Sequence, residues 1–372
     1  MQVAPKIFRL LLFIHLCCCF LLLLNGPLYA QKGIEEKIDK IILKAMTEEE
    51  FPGMAVAVIQ DNKVLFKKTY GLRARSGKEK VDEQTIFSIG SVSKAFTAVG
   101  LMQLVQEGKI ALEDPVKKHL KQLPEAWGNI TVQQFMTHTS GIPDVKGEKD
   151  GSSFEATVKK AGKLPMAFAA GKKQQYNNFN YAILGKLMEA VTGKSYLDYM
   201  TQSIFAPLQM NRTGVKPRAS NVAMGHLEKK GQWKEVVSHF EPGDYGLPSG
   251  GLQTTLSDFI KLSQGINGNT LLRPKNTNAM WVPYSTKLSN TPGWHSRMAG
   301  AAIVVHKGGG GTGIGSVCDY KIVPSQKLYV IVMTNKAGNK LSPAAITDDI
   351  LFKCFHIPPD TKGPDAGEGN EH

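Results

Sequence analysis

Three short patches of this chain carry side chains whose types and spacing could do chemistry. The first is Phe87-Ser-Ile-Gly-Ser-Val-Ser-Lys-Ala-Phe-Thr-Ala98, where Ser91 and Lys94 form an S-x-x-K pattern that occurs once in the sequence. A serine hydroxyl becomes a useful nucleophile when a neighbouring base takes its proton. A lysine amine serves as that base if its pKa falls, and burial lowers it. The second patch is Tyr176-Asn-Asn178, with Lys172 and Lys173 just before it. A phenol shuttles a proton when nearby cations lower its pKa, and the amide of Asn178 can hold a substrate carbonyl through its NH2. The third is His306-Lys307-Gly308-Gly309-Gly310, a cation followed by glycines that let a substrate backbone or carboxylate come close. Each patch alone also has a purely structural reading. These are a capped core helix with one snorkelling lysine, a surface tyrosine in a loop, and a flexible hairpin turn.

The patches need elements to position them. Residues 95–105 are apolar nearly all round, which marks a buried helix with Gly108 as its stop; Ser91 then stands at its N-terminus and Lys94 one turn on. The first-turn N–H groups favour negative charge there. Before this helix, residues 34–46 read as an amphipathic helix, and residues 53–59 and 64–70 as a hairpin turning at Asp61-Asn62. After it, Thr131-Val-Gln-Gln134 reads as a capping box opening a short helix. His138 follows, an acid–base group or a histidine packing a turn. Residues 181–191 read as a helix stopped by Gly193, and Ser195 caps another running toward Ile204. The stretch to Asp244 reads as irregular, Pro248-Ser-Gly-Gly251 as a tight turn, 255–263 as a helix, and 267–297 as loops. Residues 301–305 form an apolar strand ended by His306, 316–323 and 328–334 two more strands, and Ser342-Pro343 opens a last helix to about 355. Consecutive hairpin strands favour an antiparallel sheet. The expected class is therefore α+β. An antiparallel sheet built from 31–90 and 298–357 is flanked by terminal helices, and 91–297 supplies a mostly helical lobe with the site between them. Residues 358–372, rich in Gly, Pro and charge, read as a disordered tail.

Composition bounds the function. The chain has 372 residues, 42% hydrophobic and 21% charged, which is ample for one large core. Lys6 and Arg9, the apolar run 10–24 and Leu28-Tyr29-Ala30 together read as a signal peptide over 1–30, so the mature chain would begin at Gln31 in the periplasm or outside the cell. The alternative is an uncleaved anchor in the inner membrane. Removing Lys6 and Arg9 takes the net charge from +13 to +11. That balance suits a basic soluble surface or association with anionic cell-wall polymer. No basic run or aromatic–basic module points to nucleic acid. Cys318 and Cys354 read as two small buried thiols, with a disulfide as the alternative; no C-x-x-C or paired-histidine spacing suggests a metal, and no G-x-S-x-G suggests an α/β-hydrolase.

Taken in order, Ser91-x-x-Lys94, Tyr176-x-Asn178 and Lys307-Gly308-Gly309 resemble the serine β-lactamase and penicillin-binding superfamily. Tyrosine in the second motif and Gly90-Ser-Val-Ser-Lys94 resemble the class C branch, whose relatives include D-alanyl-D-alanine carboxypeptidases and β-lactamase-like esterases. The likeness extends over residues 51–56, 130–141, 207–210, 249–252 and 333–336. It implies that Ser91 attacks a carbonyl and becomes acylated, that Lys94 and Tyr176 share the work of base and acid, and that Lys307 tunes both and binds a substrate carboxylate. It further implies that Asn178 holds the acyl side and that the backbone N–H groups of Ser91 and Gly310 form the oxyanion hole. No cofactor is implied. Two residues depart from class C: Gly308 stands where a threonine is usual, removing a hydroxyl contact to substrate, and Gly250 where a tyrosine is usual. The stretch between Tyr176 and Lys307 is also short. The expected activity is therefore an exported serine hydrolase acting on esters or D-amino-acid peptides. A true class C β-lactamase, and a non-catalytic penicillin-recognising or peptidoglycan-binding protein, are the alternatives.

Overall fold

A computed structural model of the chain describes residues 31–359 apart from 146–151, 216–219, 238–239, 242–243, 284–288, 312 and 339. The expected leader and all but two residues of the expected tail lie outside these residues. Residues 31–48 are helical (α1). The hairpin β1 (Gly53–Gln60) and β2 (Lys63–Gly71) follows, then β3 (Ile86–Ser88) and α2 (Ser93–Gln106). The next elements are the helices α3 (Val132–Met136), α4 (Phe154–Ala161), α5 (Asn178–Thr192) and α6 (Tyr196–Met200). A second hairpin, β4 (Gly225–Lys229) and β5 (Gln232–Val236), leads to β6 (Gln253–Thr255), α7 (Leu256–Asn267) and α8 (Pro274–Ala279). The chain closes with β7 (Asn290–Thr291), β8 (Trp294–Ala299), β9 (Ala302–Gly311), β10 (Ser316–Val323), β11 (Leu328–Thr334) and α9 (Pro343–Phe355).

One antiparallel sheet of order β2-β1-β11-β10-β9-β8-β7 joins the N-terminal hairpin to the C-terminal strands. Strand β1 shows why its neighbours surround it. Met54, Val56 and Val58 pack with Ile38 and Ile42 of α1 and Ile346 and Ile350 of α9, while Ala55, Ala57 and Ile59 face the helical lobe and α2. A strand apolar on both faces has to be covered on both. Asp61 and Asn62, at φ of 49° and 65°, make the tight turn to β2. The Thr131 capping box is present, with Gln134 N–H to the threonine hydroxyl at 3.2 Å and the glutamine side chain returning to Thr131 N–H at 3.0 Å. Ser195 and Ser342 cap α6 and α9 as their positions suggest.

Three readings of the sequence are corrected. Residues 267–297 hold α8, β7 and β8 rather than loops alone, and the sheet takes in residues before 298; β8 is a largely polar, half-exposed strand without an apolar alternation. The stretch before Asp244 holds the β4–β5 hairpin, whose Lys230-Gly231 turn has positive φ at both residues. The glycines after His306 are not a turn: β9 runs on to Gly311, in register with β10 as far as Ser316. Cys318 is buried and Cys354 half-buried, and both are free thiols. Pro358, expected in the tail, accepts a hydrogen bond from Arg297 at 3.1 Å.

Candidate active site

Ser91 lies in a single 3-10 turn, Gly90–Val92, that feeds directly into α2. Gly90 has φ of 51°, and a Cβ there would fall 2.3 Å from Gly310 N, so only glycine allows β9 to close on the turn. Gly309 meets the same condition from the other side: its Cβ would lie 2.4–2.5 Å from Ile89 O, Val92 N and Ser91 N. The Ser93 hydroxyl fastens the turn, donating to Gly90 O at 2.7 Å and accepting Leu252 N–H at 3.1 Å. Ser91 itself remains partly exposed.

Lys94 extends from the first turn of α2, is 0% exposed, and contacts three oxygens. Its Nζ lies 2.6 Å from Ser249 O, 2.7 Å from Asn178 Oδ1 and 3.1 Å from Ser91 Oγ. The two carbonyls can only accept. A neutral amine in this position donates to both and offers its lone pair to Ser91; an ammonium donates to all three. The Ser249 carbonyl comes from the tight turn at Leu247–Gly251, which Thr97 ties to α2 through Pro248 O at 2.9 Å.

The Tyr176 hydroxyl is 2.6 Å from Ser91 Oγ, and Lys94 Nζ lies 4.7 Å from the centre of its ring. Its neighbours on either side are tied down. Gln175 N–H donates to His138 O at 3.0 Å, and Asn177 caps α5 while its Nδ2 reaches Ile142 O and Pro143 O. The His138 ring packs on the Tyr176 ring at 4.6 Å between centroids, and its Nδ1 lies 3.3 Å from Asn177 N and 3.2 Å from Asn180 Nδ2. A backbone N–H can only donate, so Nδ1 is the accepting nitrogen. His138 thus packs the turn that carries Tyr176, with φ of 56°. Tyr181 is the other phenol beside Lys94, 5.6 Å from Nζ. Burial pushes its pKa far above the ordinary phenol value, and its hydroxyl is spent on Met136 O at 2.9 Å.

Asn178, the first residue of α5, turns its oxygen to Lys94, which sets its NH2 on the opposite side of the amide. Lys307 of β9 is 1% exposed; its Nζ lies 5.3 Å from the centre of the Tyr176 ring and 3.5 Å from His295 Nε2. The structure therefore brings Ser91, Lys94, Tyr176 and Asn178 together, with Lys307 against Tyr176 and Gly309 and Gly310 against the Ser91 turn. Gly308 points elsewhere: its Cβ would stand 3.5 Å from His306 Nε2 and 3.6 Å from Asp319 Oδ1. Sequence reasoning missed the Ser249 carbonyl and His295. A backbone carbonyl has no residue type to betray it, and His295 lay in a segment without strand periodicity.

Comparison with known proteins agrees with this geometry. Protein flp of Staphylococcus aureus (strain N315) is 31% identical over 241 residues, 60% of this chain and 47% of that protein. The chain thus spans about half the length of the Staphylococcus aureus relatives it matches. A beta-lactamase of Escherichia coli (strain K12) is 28% identical over 291 residues, 76% of this chain and 72% of its own. Among solved structures, the octameric penicillin-binding protein homologue from Pyrococcus abyssi superposes with a TM-score of 0.74 at 26% identity, covering 88% of this chain and 78% of that one. The model of the Beta-lactamase family matches residues 38–352, from α1 to the last turns of α9, and on that evidence this chain belongs to the beta-lactamase family.

Proposed function

We propose that this protein is an exported serine hydrolase that cleaves ester or amide bonds through an acyl-enzyme on Ser91. The observation that carries the reading is that one partly exposed hydroxyl, Ser91 Oγ, is within hydrogen-bond reach of both the Tyr176 hydroxyl and the Lys94 amine. As Oγ bonds to the substrate carbonyl, its proton passes to the Tyr176–Lys94 pair. The developing oxyanion is met by the N–H groups of Ser91 and Gly310, each such donor being worth about 3 kcal/mol of barrier. The pair then returns the proton to the leaving oxygen or nitrogen as its bond to the acyl carbon breaks. Water, deprotonated by Tyr176, attacks the acyl-enzyme and frees Ser91. Asn178 holds the acyl side, and Lys307 keeps positive charge beside the phenol.

Esters and D-amino-acid peptides are favoured over β-lactams. Position 308 has no hydroxyl, and position 250 has no ring to cover a bound antibiotic; among the described residues a Cβ at Gly250 would touch Gly90 C alone, at 3.8 Å. The likeness to an Escherichia coli beta-lactamase supports the second reading, a true β-lactamase. A non-catalytic binding role is disfavoured because every ionisable group of the constellation is present. Steady-state kinetics on p-nitrophenyl butyrate, a chromogenic cephalosporin and a D-Ala-D-Ala peptide decide between them. Efficient cephalosporin turnover, near ~10⁸ M⁻¹s⁻¹, with negligible esterase activity would reverse the order. Export is tested by mass spectrometry of the native protein: Gln31 at the N-terminus supports cleavage, and intact Met1 in the membrane fraction supports a retained anchor.

A further inference from the structure

We propose that the groove between α1 and α9 binds a single-chain anionic amphiphile, a fatty-acid anion with its alkyl chain along the groove floor and its carboxylate against Lys37 and Lys40. The site is separate from the Ser91 cleft, and the proposal goes beyond the acyl-enzyme reading and does not depend on it. Helices α1 and α9 cover the sheet face of Met54, Val56 and Val58, whereas α2 lies on the face of Ala55, Ala57 and Ile59.

The two helices leave between them a groove of about 440 Å³, within the ~300–1,000 Å³ of small-molecule sites. Its floor is apolar. Ala45 of α1 and Ile346 of α9 are buried there, and Ile41 and Leu341 are half-buried. Apolar surface left wet at the bottom of a groove costs free energy in proportion to its area, and an alkyl chain laid over it removes that cost. The rim is cationic. Lys37, Lys40 and Lys44 stand at spacings of three and four residues on one face of α1, with Lys353 across from them on α9. Burial raises the Cys354 thiol pKa, and the charges of Lys37 and Lys353 both oppose that rise, so the two lysines approach the same end of the groove from opposite helices. Two acids also line the groove, and both are taken: Glu48 pairs with Lys44 at 3.8 Å and Asp349 with Lys353 at 2.6 Å. Lys37 and Lys40 make no ion pair or hydrogen bond among the described residues. The groove thus holds two uncompensated like charges one turn apart, which repel, beside a floor that favours hydrocarbon. An inorganic anion answers the lysines and leaves the floor wet, and a neutral alkane does the reverse. One chain ending in a carboxylate answers both, with the ammonium groups as charge-assisted donors. The concave floor suits a single chain rather than the face of a bilayer.

The test is isothermal titration calorimetry of the folded protein at neutral pH with decanoate, below its micelle concentration. Two comparison ligands go with it: decyltrimethylammonium, with the same length of chain and the opposite charge, and butyrate, with the same head and little chain. One decanoate should bind per protein, at least about tenfold more tightly than either comparison ligand, the scale of a charge-assisted contact. Lys37→Glu combined with Lys40→Glu, both at exposed positions, should weaken decanoate at least about tenfold. Lys37→Gln combined with Lys40→Gln, which removes the charges without reversing them, should show a smaller loss, and the melting temperature of each double variant shows that it is folded. Absence of decanoate binding overturns the proposal, and so does equal affinity for decyltrimethylammonium or butyrate. Unchanged decanoate affinity in the charge-reversed variant overturns it too, because the chain then sits elsewhere, the Ser91 cleft included. Adsorption to anionic vesicles without binding of monomeric decanoate overturns it in favour of a membrane-docking face.

Discussion

Ser91 has two candidate proton partners, and the contacts of each say how they work. The Tyr176 hydroxyl meets Ser91 Oγ at 2.6 Å, while Lys94 reaches Ser91, Asn178 and the Ser249 carbonyl at once. If they pass one proton between them, removing either disables the relay. Tyr176→Phe and Lys94→Ala should each lower kcat by about 10³-fold or more, and the double variant should be little worse, because groups acting as a unit are not additive. Steady-state and burst kinetics on p-nitrophenyl butyrate check this; multiplicative losses would mean independent roles. Tyr181→Phe provides the contrast at the same lysine. Its hydroxyl serves Met136, so activity should stay within a few fold, and the cost should appear as about 1 kcal/mol of stability for one lost hydrogen bond. At this scale the sequence was informative where chemistry resides in side chains. Ser91, Lys94, Tyr176, Asn178 and Lys307 could be named from type and spacing, and the structure draws them together. The direction in which Gly308 faces could not, because strand parity is settled only by the β9–β10 register.

Elements hold this geometry through close backbone approach rather than through many side-chain bonds. The turn carrying Ser91 and strand β9 meet glycine to glycine. Gly309→Ala places a methyl group 2.4–2.5 Å from three backbone atoms of the turn, so turn or strand must move. A displacement near 1 Å at the nucleophile costs on the order of 10²-fold in rate, and overpacking adds about 1–3 kcal/mol of instability. Paired activity and thermal melts of Gly309→Ala check both, with wild-type values on each axis as the contradicting result. Thr131→Ala removes one half of the α3 capping box, far from Ser91 in sequence, and should cost about 1 kcal/mol with activity retained. The α1, β1–β2, α2, α5, α7 and α9 segments were legible because strong periodicity, caps and turn residues agree there. Strand β8 and the β4–β5 hairpin were not, since both are polar and half-exposed and owe their form to pairing with neighbours. Strand β9 was cut short for a related reason: four glycines signal a turn locally, and only the β10 partner makes them a strand.

At the scale of the whole molecule, one sheet joins the N-terminal hairpin to the C-terminal strands, with the cleft on the face that carries α2. The opposite face holds a buried charge cluster in which Asp319 pairs with His306, and Lys321 with Asp348. Asp319, Asp82 and Asp114 all have pKa values lowered in the folded state, in each case against a contribution from burial that raises them. A lowered carboxylate stabilises the fold above its unfolded value near ~3.9, and that contribution is lost as pH falls through the folded value. The melting temperature should therefore hold from pH 7 to about 5 and drop below about pH 4. Asp319→Asn should lose about 1–3 kcal/mol at neutral pH, because an amide cannot replace both oxygens of a buried carboxylate that bonds His306 and Thr347, and should show a shallower acid fall. Calorimetry across this range checks both; a flat acid profile in the wild type would contradict the ionised cluster. The central claim is that this fold exists to present Ser91 as a nucleophile, and covalent labelling tests it most directly. The folded protein, treated with a fluorescent alkyl phosphonate and digested, should yield a single adduct on Ser91, absent in Ser91→Ala and retained in Ser93→Ala. An adduct on Ser93, or labelling that survives in Ser91→Ala, would contradict it.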